Sequence, residues 1–396
     1  MPRHTPFYSR TSALCESQSW LEWSGFLSAN TYEPAHTYEY YAIRTTAGLL
    51  DISPLYKYHI HGRDAFKLLN RMLTRDVSKC AVGQVVYTPW CDEAGKIIDD
   101  GTLARLDDNF FRLTAADPTY HWLGDNAAGL QAQIEDVTEE VAALALQGPT
   151  SRDILNQIAD VDLSSLKFFR LTQAKLAGLP VVISRTGYTG DLGYEIWLEP
   201  AHAERLWDVL MEAGQPYRIR AAGNAALDMA RIEAGLLLIN VDFYSAKHAM
   251  FDIQKSTPFE LGLGWTVHLD KPYFVGQASL RAEHLRGPAW ATVGLEVSLP
   301  ALEKVYREFG MPLTFPAESW NEAVPVYASG GRQIGKATSG AWSPALKKYI
   351  ALARVKPQYA RPGTRVQMEV TVEAYRRQAE AMVVQTPFFE PERKRT

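Results

Sequence analysis

The alternation of hydrophobic and polar positions is clearest between residues 84 and 117. The run QVVYTPWCDEAGKIIDDGTLARLDDNFFRLTAAD holds three stretches typical of strands, separated by turn-forming residues at 92–95 and 107–109. Short polar turns between stretches rich in β-branched and aromatic residues are typical of hairpins. The pattern therefore predicts an antiparallel meander of three strands.

Helical periodicity marks three other segments. Phe66, Leu69 and Leu73 lie on one face of a helix predicted in RDAFKLLNRML. A second helix is predicted from Pro200 to Gly214, because proline is favoured in a first helical turn and glycine after a last one. The run NAALDMARIEAGLLLIN predicts a third helix over residues 224–240. Helices and strands are thus mixed through the first part of the chain.

Residues 289–396 change to a β-rich pattern. Apolar positions alternate with polar ones over 366–373, as in a half-buried strand. Such a run of strands and turns predicts a small barrel or sandwich. The stretch 300–322 indicates an inserted surface segment. Mixed elements first and a β-rich module last predict an α+β protein of several domains.

Composition narrows the class of protein. A chain of 396 residues is long enough for two or three domains, and its net charge of −4 gives no general attraction to nucleic acid. The three cysteines have no metal-ligand spacing. Because no long apolar run or signal-like N-terminus is present, we expect a cytoplasmic protein without a nucleic-acid or membrane partner.

The stretch SRTGYTGDLGYEIWLEP raises the first question about chemistry. Glu195 stands inside a strand-like run after a glycine-rich loop that carries Tyr188. The bland interpretation is a tight turn followed by a solvent-facing glutamate. The alternative is a buried carboxylate that accepts two parallel N–H bonds from an amidine-like edge, such as that of a pterin.

Two further motifs carry charge. Asp99 and Asp100 follow each other on a predicted strand, so one of them points toward its apolar face unless the strand ends there. A carboxylate in that place can accept a proton or stabilise a developing cation. Asp228 and Arg231 have the spacing of a surface ion pair on a helix, which is the simpler interpretation of that motif. No cluster predicts a metal site.

Taken together, these motifs resemble the glycine-cleavage T-protein family, the tetrahydrofolate-dependent aminomethyltransferases and their demethylase relatives. The stretches that carry the likeness, in chain order, are AIRTTAGLLDIS (42–53), DEAGKIIDDG (92–101), LALQGP (144–149), RTGYTGDLGYEI (185–196), DMARIEAGLLL (228–238), LGLGWTV (261–267) and SPALKKYIALARV (343–355). They span nearly the whole chain. The Lys-Gly-Cys-Tyr signature of a tRNA-modifying branch is absent.

The resemblance implies a fold, a cofactor and a set of roles. It implies a ring of three domains around tetrahydrofolate: residues 1–55 with 141–255, residues 56–140 with 256–288, and a β-barrel over 289–396. Asp99 is placed near the reacting nitrogens, with Asp100 as the alternative if the register differs by one. The residues implied to contact folate are Tyr87, Tyr188, Glu195, Arg231 and Trp265.

Departures from the family pattern bear on the reaction. Ser53-Pro54-Leu55 replaces a Ser-His-Met motif, Leu227 replaces an arginine, and Ala116 replaces an asparagine. The Ala-Asp pair at residues 116–117 and the YTPW stretch at residues 87–90 are more similar to the demethylase branch. The resemblance thus implies methyl transfer from a small N-, O- or S-methylated donor. Glycine cleavage with a lipoyl carrier protein stays possible but disfavoured, and a non-catalytic folate-binding protein is a further alternative.

Overall fold

The computed structural model describes residues 2–396 and divides them into strands, helices and short 3₁₀ turns. The helices are α1 (Tyr8–Leu14), α2 (Thr37–Thr45), α3 (Ala65–Met72), α4 (Tyr120–Asn126), α5 (Ser151–Ile158), α6 (Ala203–Gly214), α7 (Asn224–Glu233), α8 (Gln277–Arg286) and α9 (Leu299–Glu308). The strands are β1 (Ser19–Trp23), β2 (Phe26–Thr31), β3 (Gly48–Asp51), β4 (Tyr56–His61), β5 (Gln84–Cys91), β6 (Ile97–Asp107), β7 (Phe110–Ala115), β8 (Gln133–Asp136), β9 (Ala142–Gln147), β10 (Leu171–Leu176), β11 (Leu179–Ser184), β12 (Gly193–Leu198), β13 (Arg220–Ala221), β14 (Ala291–Val297), β15 (Val324–Tyr327), β16 (Gln333–Ser343), β17 (Lys348–Val355), β18 (Arg365–Val372) and β19 (Tyr375–Val384).

The first of two mixed units is built on a six-stranded sheet in the order β10-β11-β12-β9-β3-β13. Its central strand β9 is buried along its whole length, as its sequence AALALQ requires. One face packs against α5 and α6, and Phe7, Cys15 and Tyr32 of the N-terminal segment join that core. The N-terminal segment is therefore part of this unit.

The second unit contains the predicted meander. Strands β5, β6 and β7 pair antiparallel in sequence order, and β4 and β8 complete a five-stranded sheet in the order β5-β6-β7-β4-β8. Helices α3 and α4 cover one face with a core that includes Leu69, Trp90 and Phe111. Because side chains alternate along a strand, the residues between these core positions point to the opposite face.

Six strands close a C-terminal barrel in the order β14-β17-β16-β15-β18-β19. The predicted α+β class, with two mixed units and a barrel, is confirmed. The exact domain boundaries stay a prediction. One expectation about an element was wrong: α7 ends at Glu233 rather than near residue 240, because Gly235 turns the chain with φ +66° and lies against Thr386.

A buried charge network ties the barrel to the first unit. Glu233, the last residue of α7, accepts hydrogen bonds from Tyr40 and Arg44 of α2 and from Ser343 of the barrel strand β16. Arg44 also donates to the carbonyls of Thr189 and Ala230. Both charged side chains are almost fully buried. Such a pair resists disruption, because removing one charge leaves the other unpaired in an apolar interior.

We expect Glu233→Gln to lower the free energy of unfolding by about 3–5 kcal/mol, because Arg44 loses its counter-charge inside the protein. Glu303→Gln is the matched control, since it breaks an exposed pair with Arg307 on α9 and should cost no more than about 0.5 kcal/mol. Urea unfolding of both variants measures the difference. Equal losses would contradict the role given to Glu233.

Candidate functional site

The two sheets meet at a central cleft, which we define by the side chains of Tyr87, Asp100, Tyr188 and Glu195. Tyr87 and Asp100 come from β5 and β6 of the five-stranded sheet, and Glu195 comes from β12 of the six-stranded sheet. All four side chains are half-buried, yet burial raises the pKa of each of them. Side chains that are partly exposed and yet desolvated are typical of residues that line an internal cleft.

The neighbouring aspartates Asp99 and Asp100 have different surroundings. Asp99 is fully buried, and its carboxylate accepts the backbone N–H groups of Asp100, Ala116 and Asp117 at 2.8, 3.1 and 3.0 Å. Burial and the charge of Asp100 raise the pKa of Asp99 well above its ordinary range. Its oxygens are therefore used to fix the ends of β6 and β7 together.

Asp100 points the other way, into the cleft. The hydroxyl of Tyr87 donates to its Oδ2 at 2.6 Å. Burial raises the pKa of Asp100 to about 6, although the Tyr87 hydrogen bond opposes the shift. The structure thus brings the second aspartate, not the first, to the cleft. The sequence could not separate the two, because the direction of each depends on the register of β6 against β5.

Aromatic side chains extend the cleft past Tyr87. The ring of Trp265 stacks with that of Tyr87, with 6.1 Å between centroids and 27° between planes. The guanidinium carbon of Arg75 lies over the Trp265 ring, 5.0 Å from its centroid. Trp265 is 59% exposed, so the stack leads from the carboxylate to the surface. A flat ligand can lie along such a path.

Tyr188 and Arg231 are held by a second polar network. The Tyr188 hydroxyl donates to the carbonyl of Leu237. Arg231 is fully buried and donates from Nε to Asp228, from Nη1 to Asp242 and from Nη2 to Asn321. Burial alone would lower the pKa of Arg231, but its two carboxylate partners raise it above its ordinary value.

The expected surface ion pair of Asp228 and Arg231 is therefore a buried one. The surface interpretation was wrong because Arg231 also meets Asp242, Ser339 of the barrel and Asn321 of the supposed insertion. Each nitrogen of its guanidinium group donates to a protein oxygen. Arg231 lies near the cleft, but its direct contact with folate stays a prediction.

Glu195 stands on the opposite side of the cleft. The hydroxyl of Thr186 donates to its Oε2 at 2.7 Å. Burial raises the pKa of Glu195, while the Thr186 hydroxyl, the positive charge of Arg112 and the Ser184 hydroxyl oppose the shift. Its partners are thus two neutral hydroxyls and no ion pair, which leaves the carboxylate with capacity to accept from a ligand, as the buried interpretation of this motif requires.

The departures noted in the sequence have different surroundings. Ala116 provides one of the N–H groups that hold Asp99. Leu227 packs against a core of α2, α7 and barrel residues, as does Leu55, the neighbour of Pro54. Pro54, Leu227 and Ala116 therefore stand where the family pattern has a histidine, an arginine and an asparagine.

Three residues near the cleft were not found from the sequence. Asn321 and Asp242 are fixed only by contacts between distant segments, so no local pattern marked them. Arg112 alternates with the core residues Phe111 and Leu113 on β7 and therefore faces the cleft side of its sheet. That alternation was visible in the sequence, and it was the signal that could have identified Arg112 as a residue facing the cleft.

Two mixed units followed by a closed C-terminal barrel are the architecture of the folate-dependent aminomethyltransferases. The chain belongs to the glycine cleavage T-protein family. The GCVT N-terminal domain matches residues 10–271, and the glycine cleavage T-protein C-terminal barrel domain matches residues 313–390.

Relatives cover most or all of the chain. An aminomethyltransferase of Caldanaerobacter subterraneus subsp. tengcongensis is 36% identical over 83% of this chain and 82% of that protein. A trimethylamine-oxide aldolase of Ruegeria pomeroyi is 36% identical over 100% of this chain, which spans 48% of that protein's length. The crystal structure of aminomethyltransferase T from Bartonella henselae superposes with a TM-score of 0.83 at 25% identity, over 98% of this chain and 99% of that one.

Two properties of the described residues complete the picture. Within residues 2–396, no helix is both long and apolar enough to cross a membrane. Over the same residues, no group of three or more His, Cys, Asp or Glu side chains is placed to hold a metal ion.

We expect Asp100→Asn to change the pH dependence of stability. The folded pKa of about 6 lies above the ordinary value of about 3.9, so ionisation of Asp100 opposes folding. As pH rises from about 4 to 6, the free energy of unfolding of wild type should fall relative to that of Asp100→Asn, by up to roughly 3 kcal/mol. Above that pH range the difference between the two proteins should stay constant.

Urea unfolding at several pH values measures this gap. Asp108→Asn is the control, because the Asp108 side chain is 86% exposed. Parallel pH profiles for wild type and Asp100→Asn would contradict the placement of Asp100 in a desolvated cleft.

Proposed function

We propose that this protein is a tetrahydrofolate-dependent transferase that takes a one-carbon unit, most simply a methyl group, from a small methylated donor. The observation that carries the proposal is the half-buried Asp100–Tyr87 pair, which lies close enough to Tyr188 that, besides burial, its charge raises the pKa of that tyrosine. Family membership supports a one-carbon transferase. The donor class is the part that we add.

The residues of the cleft fit tetrahydrofolate. Glu195 has a carboxylate oxygen free to accept N–H groups from the 2-amino and N3 edge of a pterin, which suits a charge-assisted pair of hydrogen bonds. Tyr188 borders the same space, and the stacked rings of Tyr87 and Trp265 suit the flat remainder of the cofactor. Bound tetrahydrofolate would supply the nitrogen nucleophile that receives the one-carbon unit.

Asp100 is the residue to which we assign the central role. A carboxylate with a pKa of about 6 is ionised at neutral pH and is a stronger base than an ordinary aspartate. It can hold the proton released during transfer, or stabilise positive charge that develops beside it. Tyr87 orients it through the 2.6 Å hydrogen bond. The ring of Tyr87 and the apolar surroundings keep water from competing for the same oxygen.

Asp99 and Arg231 act through other groups in this proposal. Asp99 positions Asp100 by fixing the backbone at 100, 116 and 117. Arg231 positions α7 against the barrel, and Tyr188 lies close enough to feel its charge. Both are positioning residues rather than groups that touch the reacting atoms.

The departures favour a methylated donor over glycine cleavage. Pro54, Leu227 and Ala116 are apolar residues where the aminomethyltransferase pattern has a histidine, an arginine and an asparagine. A relative of 36% identity is named a trimethylamine-oxide aldolase, and its named substrate is an N-methylated compound. Aminomethyl transfer from a lipoyl carrier protein is the second candidate, because relatives of equal identity are aminomethyltransferases.

The two candidates differ in a product. Purified protein should form 5-methyltetrahydrofolate from tetrahydrofolate and one of a panel of N-, O- and S-methyl donors. The same preparation given an aminomethyl-loaded lipoyl carrier protein should release no ammonia. Ammonia release without methyl transfer would reject our proposal in favour of glycine cleavage.

We expect Asp100→Asn to lower kcat by at least 100-fold and to leave the Kd of tetrahydrofolate within about tenfold, because the shape survives and the base does not. Asp108→Asn, in an exposed turn, should keep full activity. The comparison needs turnover and calorimetric binding on the same preparations. An active Asp100→Asn variant would show that the assignment of Asp100 is wrong.

A further inference from the structure

Arg112 is a buried cation that its own protein leaves without hydrogen-bond partners. It lies on β7 and is 4% exposed. Its guanidinium carbon lies 4.0 Å from the centroid of the Trp197 ring on β12, so the side chain crosses from one sheet to the other. Its Nε is buried without a partner, and the group makes no hydrogen bond or ion pair to any described residue.

Other buried arginines of this fold behave differently. Arg44, Arg231 and Arg354 each donate at least two hydrogen bonds to protein oxygens. A buried charge normally requires such partners, because desolvation is expensive. Arg112 therefore has the surroundings expected of a side chain that donates its hydrogen bonds to a ligand.

The charges around Arg112 indicate what that ligand offers. Lys57 and His59 lie on the same side of the sheet as Arg112. Burial lowers the pKa of both, and repulsion by the positive charge of Arg112 lowers it further. Lys57 already donates to the carbonyls of Ser53 and Leu55. Glu195 attracts Arg112 without forming an ion pair with it, while burial lowers the pKa of Arg112 to about 10. The site thus presents N–H donors beside a carboxylate acceptor.

We propose that Arg112 and Glu195 together recognise the pterin edge: Arg112 donates to the carbonyl at C4 while Glu195 accepts from N3 and the 2-amino group. This inference rests on the proposed function and adds a specificity residue to it. A lactam edge offers one acceptor followed by two donors, and a guanidinium beside a carboxylate is its complement. Trp197 holds the guanidinium flat from behind.

Strand register supports the placement. On the shared sheet, Arg112 is paired with Ala104 of β6, and Asp100 lies four residues earlier on that strand. At about 3.4 Å per residue, this separates the two backbone positions by roughly 14 Å along the sheet. Because the Arg112 side chain extends toward the other sheet, a bicyclic ring can lie between it and Asp100. The reacting side of the ring would then face Asp100 and its 2-amino edge would face Glu195.

Two ligands that differ only at C4 test the proposal. Tetrahydrofolate carries a carbonyl there, whereas the tetrahydro form of its 4-amino analogue carries an amino group that cannot accept from Arg112. Calorimetric titration of wild type should show at least tenfold tighter binding of tetrahydrofolate. Arg112→Leu should weaken tetrahydrofolate binding by about 10- to 100-fold and abolish that preference, because a hydrogen bond to a charged donor is lost.

The outcomes separate this inference from the proposed function. If wild type binds tetrahydrofolate and Arg112→Leu keeps both the affinity and the preference, Arg112 has no role in reading C4 and only this inference falls. The same holds if Arg112→Leu changes only the KM of the methyl donor, which would assign Arg112 to a donor carboxylate. If wild type binds neither ligand, both proposals fail.

Thermal unfolding distinguishes a binding role from a structural one. Arg112→Leu should leave Tm unchanged or raised, because it removes an unpartnered buried charge. Arg354→Leu is the matched control: it should lower Tm, since it removes the nearer of the two cations that pair with the buried Glu260. A fall in Tm for Arg112→Leu as large as that of the control would overturn the proposal. Arg112→Lys should restore the charge without restoring the preference at C4.

Discussion

The three backbone N–H groups that Asp99 accepts are the constraint on which the candidate site depends. They hold the end of β6 to the chain that leaves β7 and leave Asp99 no free role of its own. Because successive side chains on a strand point to opposite faces, fixing Asp99 inward fixes Asp100 toward the cleft. The same geometry brings Asp100 to Tyr87 on the neighbouring strand. The buried carboxylate of Asp99 thus fixes the orientation of the Asp100 carboxylate.

The walls of the cleft come from separate parts of the chain, and buried charge holds them in place. Arg44 and Glu233 join the first unit to the barrel, and Arg231 joins α7 to Asp242, Ser339 and Asn321. Replacing one member of such a pair is costly, which limits how far the walls can shift. A cleft of fixed width can keep a donor and a folate in reacting positions, and proximity of this kind contributes several kcal/mol to catalysis.

Local patterns gave much of the fold. The turns at 92–95 and 107–109 placed the meander, and alternation placed Glu195 inside a strand. The single-residue choice between Asp99 and Asp100 needed the register between strands, which no local signal carries. Arg231 was read as a surface residue because its partners Asp242 and Asn321 are distant in sequence. Residues 300–322 were read as a surface insertion, yet Ser319 and Asn321 contact Asp228 beside the cleft.

The central claim is that the cleft binds reduced folate through Glu195. The most direct measurement is anaerobic calorimetric titration of tetrahydrofolate into wild type, Glu195→Gln and Glu199→Gln, the last being an exposed glutamate just beyond the same strand. Wild type and Glu199→Gln should bind alike, and Glu195→Gln should bind about 10- to 100-fold more weakly, because charge-assisted hydrogen bonds are lost. Absence of binding to wild type, or equal binding by all three proteins, would contradict the account.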